Sequence, residues 1–291
     1  MKKSRRMTND AVVGVVTAIL LTGIIVAVLS LVQTVYVPKI MEQREAEHMD
    51  KVAEQFASLS SVIADQAADE TKGIPIATSI TLGSKELPYL LSIRSYGTLE
   101  IIQNACSITI NNATEAGSIL TASFPINTIT YSSANAYFLD QTYAYEAGAM
   151  IVSQIQGNLM MIRPSFVVDA DGETIDILFD VVNISTVGQK IIASGYGTYP
   201  IQTEFHDVTL DINFTKVRTL TITTSTSNAW SVFLNYTMIQ AGLNQNGSRT
   251  DYFFENTGQS LTIDFSLSSR NVNVFFRMID IQAQIGPGWI E

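Results

Sequence analysis

The chain is short of several kinds of residue, and each shortage removes a class of function. It has one cysteine, Cys106, so no disulfide can form within it. Two histidines, His48 and His206, added to that single thiol leave almost no ligands for zinc or iron. Charged residues make up only 15% of the 291 positions, and acids outnumber bases 27 to 17. A protein that grips nucleic acid needs a basic excess, so nucleic acid is not an expected partner. Hydrophobic residues at 46% argue against disorder and are enough to fill a sizeable core. No G-x-S-x-G, H-E-x-x-H, P-loop or dinucleotide fingerprint occurs, and no fixed-period repeat is evident. No cofactor is expected.

Charge is missing most conspicuously from residues 11–37. This run, AVVGVVTAILLTGIIVAVLSLVQTVYV, follows a basic stub holding Lys2, Lys3, Arg5 and Arg6. As a helix its 27 residues would rise about 40 Å, enough to cross a bilayer with tilt. It is too long for the apolar core of a cleaved secretory signal, and no A-x-A-like site closes it. The expected partner is therefore the lipid bilayer. The positive-inside rule places residues 1–10 in the cytoplasm and the C-terminal domain outside the cell membrane, with Tyr36 at the outer interface. Beyond the first ten residues the chain holds 13 basic and 26 acidic groups. An exterior that acidic favours solubility and resists adhesion to anionic surfaces.

After Pro38 the pattern is polar but helical. Met49, Val52, Phe56, Leu59 and Ile63 recur at spacings of three and four, an amphipathic stripe expected over residues 38–73. That stripe can pack on the chain's own outer domain or on copies of the chain. Gly73 and Pro75 mark its end. His48, between Glu47 and Met49, reads as a solvated position on this helix.

From residue 74 to 291 alternation replaces the helical period. Strands are expected at 76–82, 99–110, 118–131, 150–154, 175–182, 191–194, 208–214, 219–224, 261–267 and 272–284. One short amphipathic helix is expected over 228–240, covering a sheet edge or face. The fold class is α+β: a long N-terminal transmembrane-plus-stalk helix, then a mostly antiparallel, β-sandwich-like ectodomain.

Candidate sites are few. Tyr131, Tyr137, Tyr143 and Tyr145 cluster around Phe138, as cross-strand packing or as an aromatic surface for a glycan or protein. Asp169-Ala170-Asp171-Gly172-Glu173 starts like a calcium loop but has Leu178 where an EF-hand needs glutamate, so a hairpin turn is expected. Cys106 lies in an apolar strand and reads as a buried thiol. His206 adjoins Asp207 but has no visible partners for catalysis or metal binding. Glycosylation sequons occur at Asn112, Asn183, Asn213, Asn235 and Asn246. A glycan hydrolase would need two convergent carboxylates about 5–10 Å apart, which no spacing here specifies. A non-enzymatic role is expected.

The basic leader, the acidic Asp10, then Ala11-Val12-Val13-Gly14 and a long apolar helix resemble archaeal type IV pilin-like surface proteins. Further segments resemble a poorly characterised family of archaeal membrane-anchored surface proteins. These are residues 45–52 with Phe56, Ser79-Ile80-Thr81-Leu82-Gly83, Gly97-Thr98-Leu99, and residues 140–149 with Gln154. The resemblance implies a surface location, a structural or adhesive role, and association with copies or other pilin-like subunits. It also implies a processing site near Arg6, Met7 and Asp10. The residue before the cut in that class is small, whereas here Arg6 precedes Met7, and cleavage there would put Asp10 fourth.

Overall fold

The computed structural model describes residues 10–84, 95–113, 119–188, 190–245 and 250–287. Helix α1, Asp10–Leu31, continues through a π-helical turn, Val32–Tyr36, into α2, Val37–Asp69. From 13 to 31 every residue of α1 is exposed, and the apolar window has a mean hydropathy of 2.8. The threonines of α1 and of the π turn satisfy themselves: the hydroxyls of Thr17, Thr22 and Thr34 donate to the carbonyls of Val13, Ala18 and Ser30. The π turn has a local cause. Pro38 has no N–H to give to residue 34, and its ring would crowd that carbonyl. Widening the preceding turn relieves this, and the Val37 N–H reaches back to Val32 instead.

Exposure stops abruptly at Val37. On α2 the positions Val37, Met41, Glu45, His48, Met49, Val52, Phe56, Leu59, Ile63, Gln66 and Ala67 form one buried stripe. Of the two packing options, the helix takes the one in which it lies on its own β domain. It ends at Glu70, whose left-handed φ of 52° closes the last turn before Gly73 is reached.

The strands follow in chain order: β1 Ile76–Thr81, β2 Tyr96–Ala113, β3 Ile119–Ala134, β4 Thr142–Glu146, β5 Ala149–Gln154, β6 Gly157–Ile162 and β7 Ser165–Ala170. Then come β8 Thr174–Thr186, β9 Ile192–Gly195, β10 Thr198–Phe214, β11 Val217–Thr223, helix α3 Ser227–Gln240, β12 Phe253–Asn256, β13 Ser260–Asp264 and β14 Asn271–Ile285. One sheet runs β1-β10-β14-β8-β7; its β14–β8 pair is parallel and its other pairs antiparallel. The other runs β12-β13-β11-β2-β3-β4-β5-β6, with β9 beside the first residues of β2.

Two cores result. The first gathers around α2 and takes Leu99 and Ile101 of β2, Ile129 and Tyr131 of β3, and Ile279–Ile285 of β14. The second takes Cys106, Ile108 and Ile110 of β2, Phe179 of β8, and Trp230 and Phe233 of α3. Strand β2 passes from one to the other at a bulge between Ile102 and Cys106. There Asn104 adopts φ 53° and its N–H donates to Asn127 Oδ1 at 2.8 Å. Helix α3 touches β6 and also β12–β13, the opposite ends of the larger sheet. That sheet therefore curls until its two edges flank the helix, which covers them as expected.

Every strand expected from the sequence is present. Four were missed: β4, β6, β7 and β12. Strands β6 and β7 are separated only by Arg163 and Pro164, too short a break to stand out in a continuous apolar stretch. The start of β10 was missed because Pro200 sits within it.

One glycine carries the geometry where β2 begins. A Cβ on Gly97 would lie 2.0 Å from the Leu82 carbonyl oxygen and 2.7 Å from the Tyr131 hydroxyl. Gly97→Ala should therefore cost about 2–3 kcal/mol and lower the thermal midpoint of the folded domain. An unchanged midpoint by circular dichroism would contradict this packing.

Candidate functional site: the helix-docking groove

The residues that drew attention in the sequence converge on the groove that receives α2. Phe56 sits at its centre, with its ring centroid 6.3 Å from that of Tyr131 and 5.9 Å from that of Tyr143. Tyr131, Tyr143 and Tyr145 are all buried. The aromatic-surface expectation fails for these three, because α2 covers the face on which they stand; only Tyr137 is half-exposed. Burial raises each buried phenol's pKa, that of Tyr143 to about 12 with Asp50 adding to the effect. None is a nucleophile at neutral pH.

Polar pins fix the helix at several heights. The lowest is Glu45, fully buried, whose carboxylate accepts the backbone N–H groups of Ala136, Tyr137 and Phe138 at 3.1, 2.7 and 2.7 Å. Next is His48. The Tyr131 hydroxyl gives its one proton to the Leu82 carbonyl at 2.8 Å, so its oxygen accepts from His48 Nε2–H at 3.0 Å. His48 is thus buried and hydrogen-bonded rather than solvated, because the apolar stripe passes through it at Met49 and Val52. Burial lowers its pKa below 6.5; the nearby Lys51 acts in the same direction, and the Leu82 carbonyl and Glu45 oppose it. Higher up, Gln55 exchanges two hydrogen bonds with Thr81 at 2.9 and 3.2 Å. Gln66 Nε2 donates to the Thr203 carbonyl at 2.7 Å, and Glu70 pairs with Arg277.

A second buried carboxylate lies at the far end of the same tyrosine strand. Glu146 accepts from Trp230 Nε1 at 2.7 Å, Thr224 Oγ1 at 2.8 Å and Thr226 Oγ1 at 3.1 Å. It precedes a two-residue hairpin in which Ala147 and Gly148 both have positive φ, the type I′ pattern. Burial raises its pKa, opposed by those three donors. The carboxylate ties β4 to the first turn of α3, where a negative charge is favoured. Sequence reasoning passed over Glu45 and Glu146 as buried groups and read His48 as solvated. The readable signal was a charged or polar residue in register with an apolar stripe: Glu45 lies four residues from both Met41 and Met49.

The remaining candidates are ordinary. Asp171 accepts from the N–H groups of Glu173 and Thr174 in the β7–β8 hairpin, as the turn reading expects. Those bonds, Thr174 first, lower its pKa. Cys106 is buried, and burial pushes its thiol up. His206 is exposed, 3.1 Å from Gln282 Nε2. Among the sequons, Asn213 is exposed and Asn112 half-buried. Asn183 donates to Asp280 and accepts from the Asn127 N–H, while Asn235 accepts from Gln245 and Tyr252. Asn246, Arg6 and Met7 lie outside the described residues, as does the side chain of Asp10. Among the described residues no group of three His, Cys, Asp or Glu side chains could hold a metal ion. A cleft of about 630 Å³ runs beside α2 between Ser60, Ala64, Arg163, Asp180 and Arg277.

A family profile matches residues 11–275, which takes in the apolar helix, the groove and both sheets. The chain belongs to DUF7289, a family of unknown function. The match begins at the first residue of the apolar run, so the helix and the β domain of this chain fall within one profile. No curated protein and no solved structure matches the chain.

Two tests probe the pins. Glu45→Ala should destabilise the domain by about 3 kcal/mol, since three N–H groups lose a charged acceptor, and amide exchange at 136–138 should rise most. Exchange confined to other loops would refute the assignment. For His48 the folded pKa is the lower one, so below pH 6.5 the unfolded chain binds the extra proton. Stability is then fully present above pH 6.5 and falls as the pH drops through and below it. Denaturant titrations of wild type and His48→Gln should diverge in slope between pH 7 and 5. That difference isolates His48 from Glu146, whose raised pKa acts with the opposite sign.

Proposed function

We propose that this is a non-enzymatic, single-pass membrane protein that holds a rigid β domain on the outer face of the cell membrane, in a structural or adhesive role. The observation that carries it is the single helix with two solvents. Residues 13–36 are almost wholly exposed and apolar, and rise about 36 Å as a helix, which matches a bilayer core. From Val37 onward the same helix is locked into the domain. The basic residues 2–6 favour a cytoplasmic N-terminus.

The finer reading, an archaeal type IV pilin-like subunit or accessory protein, rests on the order of leader, acid and apolar helix. A glycan-binding role through the tyrosine cluster loses its support, since three of the four rings lie under α2.

Intact-mass spectrometry of the protein from carbonate-washed membranes and from sheared surface filaments tests this. Recovery in the washed membranes with the domain open to external protease supports the anchored reading. A mass lacking the first six residues in the filament fraction supports a processed pilin. Recovery in the soluble fraction at full mass would refute both.

A further inference from the structure

The cleft beside α2 is walled on one side by the last turns of that helix and on the other by Ile162 and Arg163. Sheet register lays its floor: Arg277 of β14 stands opposite Asp180 of β8, which stands opposite Ser165 of β7. Its volume of about 630 Å³ falls in the range of about 300–1,000 Å³ typical of small-ligand sites. Two of its polar groups have nothing in the protein to bond. Ser60 and Tyr145 line the cleft and are 4% and 2% exposed, and neither hydroxyl has a hydrogen-bond partner among the described residues. A hydroxyl held out of bulk water without a partner is costly, so the pair marks a place that a ligand completes.

The charges say which ligand. Arg277 already pairs with Glu70. Arg163 sits over the Tyr236 ring, 5.2 Å from its centroid, and meets no carboxylate among the described residues. Its guanidinium is therefore open to an acid. Asp180 accepts from Ser165 Oγ at 3.0 Å and has lone pairs left for further donors. A cationic donor there would crowd Arg277, its neighbour in the ladder, whereas a hydroxyl would not. A dianion fits poorly, because Asp180 opposes it, as does the negative end of the α2 dipole at Ala67 and Ala68. An apolar ligand would leave Ser60 and Tyr145 stranded. What remains is a molecule with one carboxylate and several hydroxyls. Val182 and Ile279 supply apolar floor for the C–H face of its ring.

We infer that this cleft binds a sugar acid, with the carboxylate on Arg163 and the ring hydroxyls on Asp180, Ser60 and Tyr145. The tyrosine contributes its hydroxyl and no open ring face, so the site differs from an aromatic platform. The ligand is a free uronic acid or one unit of an acidic polysaccharide. Binding here does not depend on the membrane reading.

The test is calorimetric titration of the full-length protein in detergent with glucuronate, galacturonate and trigalacturonate. At least one of the three should bind about ten-fold more tightly than glucose, acetate or inorganic phosphate. Arg163→Gln should weaken that binding about ten-fold and leave the weaker binding of glucose unchanged. Lys72→Gln, at an exposed lysine outside the cleft, should leave both unchanged. Tyr145→Phe and Ser60→Ala should each weaken sugar-acid binding about five-fold without lowering the thermal midpoint, since neither hydroxyl bonds within the protein. Tighter binding of trigalacturonate than of galacturonate assigns the ligand to a polysaccharide; binding of the monomers at least as tight assigns it to the free acid. Three results overturn the inference: no binding of any of the three probes, equal binding of acetate or phosphate, which means an adventitious anion only, or affinity that survives Arg163→Gln and Tyr145→Phe. A loss in Lys72→Gln as large as in Arg163→Gln overturns it as well.

Discussion

Everything in this molecule depends on one helix being wanted by two environments. Along α1 all sides are apolar, and none meets the protein. Along α2 only one stripe is apolar, and the β domain consumes it. The step between them occurs within a residue or two of Tyr36. If α2 were removed, Phe56, Leu59 and Ile63 would leave an open groove floored by tyrosines and isoleucines from both sheets. Burying such side chains contributes about 1.5–3 kcal/mol each, a large share of the net stability of a domain this size. The helix is therefore part of the domain's core as well as its handle.

The polar pins complement that packing. Apolar contact alone would let a helix slide along its groove or rotate within it, since its energy depends only weakly on register. Glu45, His48, Gln55 and Gln66 each find partners at a single height. Each costs desolvation and returns hydrogen bonds only when the helix is correctly seated. Glu146 does the same for α3. Specificity of seating thus comes from a handful of buried polar groups, while the adhesive energy comes from the stripe between them.

Much of this was legible in the residues. The apolar run, the 3–4 spacing from Met49 to Ile63, the ten strands and the short helix over 228–240 follow from periodicity, because local pattern dictates local structure. What could not be read was which surfaces face each other. The tyrosines at 131, 143 and 145 have the same alternation whether they face water or a helix, and only the tertiary arrangement decides. His48 was misread for the same reason: Glu47, Asp50 and Lys51 near it in sequence are charged, but on the helix face it stands between Glu45 and Val52, three and four residues away and both buried. Of the segments that carried the resemblance, residues 45–56 belong to α2, and Leu82, Leu99, Tyr143 and Tyr145 pack in the core around it, whereas Glu146, Ala147 and Ala149 belong to the α3 side.

The π turn at residues 32–36 sets an angle as well as relieving a proline. A helix that is rigid on both sides of its widest turn behaves as a crankshaft: each residue added or removed turns one end against the other by about 100°. Val37 onward is clamped, so the direction in which each face of α1 looks, relative to the two sheets, is decided by the count of residues through that turn. Lineages that keep the domain intact but change the number of residues between 13 and 37 would carry the same sheets on a rotated α1. Length in this stretch therefore sets which side of α1 stands over which face of the β domain, a relation that takes effect wherever a neighbouring helix grips one side of α1.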